Sequence, residues 1–204
     1  MKKKSIVILV TAVVLMLSVS VGGMLAYFTD TKSATNTFTV GDVNIQLDET
    51  EWNSSETHVI VPGASFKKNP TVTVLSGSQE SYVRMLVTID HVSKWDEVFK
   101  DEGGADLLDI FEGYNEKKWE YAGESRDANA DTITYEFRYV TKVNAASGDV
   151  KLEPLFTSVV IPSDLDDELE VFNGVNSLNI IVKADAIQAL TFANAGAAWE
   201  AFSK

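Results

Sequence analysis

The sequence predicts a mainly β protein: an antiparallel jelly-roll β-sandwich with a short helical insertion, preceded by a cleaved signal-peptide helix. Three observations carry that reading. Apolar residues recur at the two-residue period of half-buried strands in about seven or eight stretches, parted by Gly, Pro and Ser clusters. Helical spacing is confined to the middle and to the tail. The first 26 residues have the layout of a secretory leader.

That leader opens with Lys2, Lys3 and Lys4, followed by an uncharged apolar run over residues 6–21. Gly22 and Gly23 then break the helix, and the small Ala26 suits the position just before a signal-peptidase cut. Cleavage is expected between Ala26 and Tyr27, within one residue. The run is close to the roughly 20 residues a membrane-spanning helix needs, but no basic stop-transfer cluster follows it. Residues 27–40 then form an extended N-terminal segment, and 41–204 a single sandwich domain with a helical and loop insertion at about 93–130.

The strands come in order along the chain. Phe38, Val40, Val43, Ile45 and Leu47 alternate with polar residues across a turn or bulge at Gly41 and Asp42. A short apolar run at 59–61 stops at Pro62 and Gly63. Residues 66–75 resume, with Pro70 marking an edge or a strand start. Residues 82–89 are almost continuously apolar, as a strand in the middle of a sheet should be. Ser93 and Asp96 have capping-box spacing ahead of Trp95, Val98 and Phe99, which predicts a short helix. Leu107, Leu108 and Phe111 predict a second, and residues 113–130 read as a polar loop. Alternation returns at Ile133, Tyr135, Phe137 and Tyr139. Residues 155–161 and 178–187 complete the strands, and 192–202 read as an amphipathic helix.

Composition narrows the function. The chain carries 17 basic and 30 acidic residues, a net charge of −13 that loss of the leader's lysines makes more negative. Nucleic acid and anionic membranes are therefore excluded as partners. With no cysteine, neither a disulfide framework nor a thiolate metal site can form. Only two histidines exist, His58 and His91, and neither an HExxH nor a GxSxG string is present. No catalytic residue is assigned and no enzyme is expected. Asp127, Asn129 and Asp131 have the alternating oxygens that open a calcium loop, but Thr132 stands where the loop needs glycine and Arg138 where it needs glutamate. A weak calcium site there is the single cofactor candidate. The acidic cluster at 164–170 reads as a solvated loop or a helix start after Pro162 and Ser163.

The residues Tyr27, Phe28, Asp30, Lys32, Thr37, Phe38, Gly41 and Leu47, following directly on the leader, resemble the TasA/camelysin family. So do VPGASFKKNPTVTV before the dense strand and NSLNIIVKADAIQ near the end. The resemblance covers both ends of the domain and leaves about 95–150 unmatched. It implies a jelly-roll fold and a signal peptide processed by a SipW-type peptidase. It also implies a role as a subunit of biofilm-matrix or cell-surface fibres, secreted from a Gram-positive bacterium. In such fibres the partner is the chain itself, as a head-to-tail homopolymer, alongside other matrix proteins. The freed N-terminal segment would add a strand to the next subunit, anchored by Tyr27, Phe28, Phe38 and Val40. The sequence permits this independently, because residues 27–40 are polar and β-prone, with few apolar residues to fold against. Two alternatives stay open: a camelysin-like surface metallopeptidase, and a monomeric surface protein or minor fibre-anchoring component.

Overall fold

The strands of the computed structural model are β1 (Thr29–Lys32), β2 (Ile45–Asp48), β3 (Ser65–Lys67), β4 (Thr71–Val74), β5 (Ser78–Asp90), β6 (Phe111–Glu112), β7 (Trp119–Asp127), β8 (Thr132–Tyr139), β9 (Val143–Ala145), β10 (Val150–Lys151), β11 (Ser158–Val160) and β12 (Ile180–Gln188). Among the described residues two α-helices, α1 (Val92–Phe99) and α2 (Ala195–Phe202), and two 3-10 turns accompany them. The structure describes residues 29–32, 43–52, 58–100, 106–163, 168–173, 175, 177–190 and 192–202. The expected leader, the cleavage site and most of the 27–40 segment lie outside these.

The apolar run at 82–89 becomes the heart of β5, which is flanked on both sides. Strand order in the largest sheet is β1-β12-β5-β8-β7, with β9 pairing the start of β5. Every pairing is antiparallel. Alternation decides which side chains turn inward. Val83, Met85, Val87 and Ile89 of β5 face the core with Ile133, Tyr135 and Phe137 of β8 and Val182, Ala184 and Ala186 of β12. The second layer consists of two three-stranded sheets, β10-β4-β2 and β3-β11-β6. Backbone hydrogen bonds from Lys68 to Thr157 and from Leu155 to Pro70 stitch these together where Pro70 can give no ladder bond of its own. Val43, Ile45, Val72, Val74 and Val159 from this layer join the same buried cluster. The result is a mainly antiparallel β-sandwich.

Trp119 shows how tightly that core is tied. It is fully buried, donates Nε1–H to the Glu153 carbonyl at 3.0 Å, and meets the Tyr139 ring edge-on at 5.0 Å. Gly113 is fixed by space: its φ is 75°, and a Cβ there would lie 2.3 Å from the Thr157 hydroxyl oxygen.

Several expectations need correction. Residues 113–130 are not one polar loop, because Trp119–Asp127 forms β7 and pairs with β8 from Trp119↔Tyr139 to Asp127↔Thr132. Among its described residues the insertion is therefore helical over α1 and the 3-10 turn Leu107–Ile110. Ser93 and Asp96 form no capping box. Helix α1 starts at Val92, which places Ser93 inside its first turn, and the N-cap residue His91 makes no side-chain cap. The true capping box lies at the 3-10 turn, between Asp106 and Asp109. Residues 59–61 form no strand, and Val59 and Val61 are exposed. The tail helix runs from Ala195 to Phe202 as predicted, three residues shorter at its start.

Candidate functional site

Strand β12 is bordered unequally. On one side it pairs with β5 along its whole length, from Ile180↔Ile89 to Gln188↔Ser81. On the other it carries β1, and only over Ala184 to Ile187: Thr29↔Ile187, Asp30↔Ala186, Thr31↔Asp185 and Lys32↔Ala184. Over Ile180 to Lys183 that edge has no strand partner among the described residues. An open sheet edge presents unpaired N–H and C=O groups, which are a template for another strand. The sequence of β1, TDTK, contains no large apolar residue. Its described pairing with β12 is a four-residue backbone ladder, a kind of contact that another copy of the same segment can reproduce.

Behind the edge lies a buried ion pair. Asp185 is 2% exposed and stands directly opposite Arg84 in the β12–β5 register. The Arg84 guanidinium bonds its Oδ2 from Nε at 2.9 Å and Nη2 at 2.8 Å. The same guanidinium lies 4.6 Å from the Trp199 ring centre and 4.8 Å from that of Phe202, both on α2. Helix α2 thus closes a second small core of Tyr82, Ile187, Ala189 and Trp199 on the outer face of the sheet. A register slip of one residue would move Asp185 away from Arg84 and leave a buried charge unpaired. The pair fixes how the edge is presented. It also escaped the sequence reading, although a charge of each sign inside otherwise apolar strands, YVRMLVTI and IIVKADAI, was a legible signal.

The other predicted residues fall in different places. Tyr27, Phe28, Phe38, Val40 and Ala26 lie outside the described residues, so of the donor segment only Thr29–Lys32 is placed. The calcium candidates sit in the turn between β7 and β8. There the Asp127 carboxylate accepts the N–H groups of Asn129 (2.9 Å) and Ala130 (3.2 Å), and Asp131 reaches away to Ser93. Ser93's backbone N–H, the largest influence on it, holds the Asp131 carboxyl below the usual carboxylate range. His58 stacks on Trp52 at 4.1 Å, while His91 pairs with Asp90 at 3.1 Å. Among the described residues no three histidines, cysteines or carboxylates converge where one metal ion could sit. Nor is any helix among them long and apolar enough to cross a membrane.

The model of a protein family described as "Camelysin metallo-endopeptidase" matches residues 1–111 of this chain. The match takes in the expected leader, the N-terminal segment with β1, β2 to β5, α1 and the first 3-10 turn. No curated protein matches the chain, and no solved structure does.

Proposed function

The chain belongs to the camelysin metallo-endopeptidase family, and from that premise we propose that it is an exported structural protein that builds fibres by donating its N-terminal strand. One observation carries the proposal: β1 pairs with the outer edge of β12 over four residues, and its sequence TDTK contains no apolar residue. In this reading the seat that β1 fills in its own chain is filled in the fibre by residues 29–32 of a neighbour. Tyr27, Phe28, Phe38 and Val40 flank the donated strand and anchor it. Such a contact is head-to-tail, and it propagates as a filament when its rotation does not close. A SipW-type peptidase frees the segment by cutting after Ala26, so processing sets when assembly starts. The two-layer sandwich is taken as a jelly roll, and the surroundings as the extracellular matrix or cell surface, with other matrix proteins as neighbours.

The family description favours a second reading, a metallopeptidase. The described residues do not fit a zinc site, because no three histidines or carboxylates among them converge on one point. No catalytic step is derived through a metal.

Cysteine pairing tests the structural reading, in a chain with no cysteine of its own. Asp30→Cys with Ala186→Cys joins two register partners. Oxidised before assembly, the pair should form a bridge within one chain and abolish filaments seen by electron microscopy. Oxidised after assembly, it should give a ladder of covalent multimers. Filaments that persist with the strand locked in its own chain would remove strand donation. Chelator-sensitive cleavage of casein by the purified chain would favour the peptidase.

A further inference from the structure

One end of the sandwich holds a partly open cavity of about 370 Å3. That is within the roughly 300–1,000 Å3 typical of small-molecule sites, which are apolar with a few placed polar groups. Its interior is made by buried aliphatic side chains, Ile89, Ile110 and Val182 among them. Trp95 also lines it, is 2% exposed, and has no acceptor for its Nε1–H among the described residues. An indole N–H can only donate. A buried donor without a partner is uncommon in a folded protein. Water alone is a poor remedy in apolar surroundings, since a buried water needs two to four polar partners.

Charge at the cavity wall says which ligands fit. Lys68, only 5% exposed, places Nζ 2.7 Å from the Glu49 carboxylate and 4.8 Å from the Trp52 ring centre. Its charge is thereby neutralised within the protein. An anion entering beside it would meet Glu49, and a cation would meet Lys68. An uncharged guest meets neither penalty.

We propose that this cavity binds a small uncharged molecule with an apolar body and one acceptor oxygen, of the carbonyl class, which takes the Trp95 N–H. The ligand site is separate from the seat of β1, which lies at Ala184 to Ile187, whereas the cavity touches β12 at Ile180, Ile181 and Val182.

The probe is 6-propionyl-2-(dimethylamino)naphthalene, an uncharged aromatic ketone whose emission moves to the blue in apolar surroundings and to the red when its carbonyl accepts a hydrogen bond. It is titrated into the chain as purified after processing, under conditions where the chain is monomeric. One saturable site with blue-shifted emission is expected. Trp95→Phe keeps the ring stack and removes the donor. It should weaken binding about 3- to 10-fold, the worth of one net hydrogen bond, and move the bound emission further to the blue. Ile180→Trp should fill the mouth and weaken binding at least about 10-fold, with its circular dichroism melt showing that it folds. Absence of saturable binding to the folded wild-type chain overturns the proposal. So does Trp95→Phe with unchanged affinity and emission, which would mean that the N–H is served from the polar recess beside Asp96 and Arg126 on the other side of the ring. Release of the probe when filaments form would assign the cavity to a side chain of another copy, and overturns it too.

Discussion

Asp131 accepts both the backbone N–H and the hydroxyl of Ser93, each at 2.9 Å, and so caps helix α1 from 38 residues away in sequence. The helix has no side-chain cap of its own at His91, so Asp131 supplies what the local sequence lacks. Its own backbone is left-handed, with φ 52°. Loss of such a cap costs about 1 kcal/mol. Asp131→Ala should therefore destabilise the chain by about that amount in urea unfolding, and Asp131→Asn, which tolerates positive φ and keeps an acceptor, by less. Equal losses from the two would show that the cap contributes nothing. A second carboxylate makes acid sensitivity predictable. The Tyr139 hydroxyl donates to Glu153 and, with Lys118, holds its carboxyl down at about 2. Burial and the same bond push the Tyr139 hydroxyl up, so both shifts keep the proton on tyrosine. A depressed carboxyl stabilises the fold fully above its ordinary pKa, and that stabilisation is lost as pH falls towards the folded value. Side-chain exposure of 43% keeps it small through solvent screening. Glu153→Gln should thus flatten the decline in melting temperature between about pH 5 and pH 2.5, and a decline as steep as in the wild type would assign acid sensitivity to other groups.

At the scale of elements, the buried Arg84–Asp185 pair makes the sharpest prediction. Asp185→Ala leaves the nearly buried Arg84 guanidinium, packed against Trp199 and Phe202, with the longer 3.5 Å contact to Glu136 as its remaining carboxylate partner, which should cost roughly 3 kcal/mol, the low end for a broken buried pair. Arg84→Met together with Asp185→Leu removes both charges and should restore most of the loss, because apolar replacement of a buried pair is often neutral. If the pair fixes register, the double variant will be stable yet form fewer filaments; a stable variant that assembles normally refutes that role. How far such elements were legible depended on their surroundings. Strands β5 and β8 sit inside the largest sheet, so one or both faces are buried and the pattern of apolar residues is written into 82–89 and 133–139. Strand β7 is at the sheet edge, and beyond Trp119 it is almost wholly exposed, so WEYAGESRD has no burial to impose alternation. Its bulge at Tyr121 and Gly123, where Gly123 has φ 131°, further breaks the two-residue period. The Asp131 cap was illegible for another reason. It joins residues distant in sequence, where a local motif, Ser93 with Asp96, offered a plausible substitute that the helix start at Val92 excludes.

For the whole molecule, charge and edge act against each other. A net charge of −13 opposes bringing copies together, while strand donation needs the four-residue β1–β12 pairing to exchange between chains. Repulsion between acidic chains weakens when salt shortens its range, when divalent cations bridge carboxylates, and when acid neutralises them. Filament formation should accordingly be faster in higher salt, with added calcium or magnesium, and as pH falls towards the sequence pI near 4.5. Acid cannot help without limit. Asp131 and Glu153 hold their protons off below the ordinary carboxylate range, and their contribution to the fold disappears as they are protonated. Assembly driven by charge neutralisation should therefore rise towards the pI and fall again at lower pH, where α1 loses its cap and the Tyr139–Glu153 contact weakens. Light scattering against pH, with circular dichroism on the same samples, resolves the two limbs. Scattering that responds to none of salt, divalent ions or pH would mean that repulsion is not what restrains β1 from leaving its own chain. The locked Asp30→Cys, Ala186→Cys chain supplies the control: it carries nearly the same charge, so scattering that still rises in acid reports precipitation rather than strand exchange.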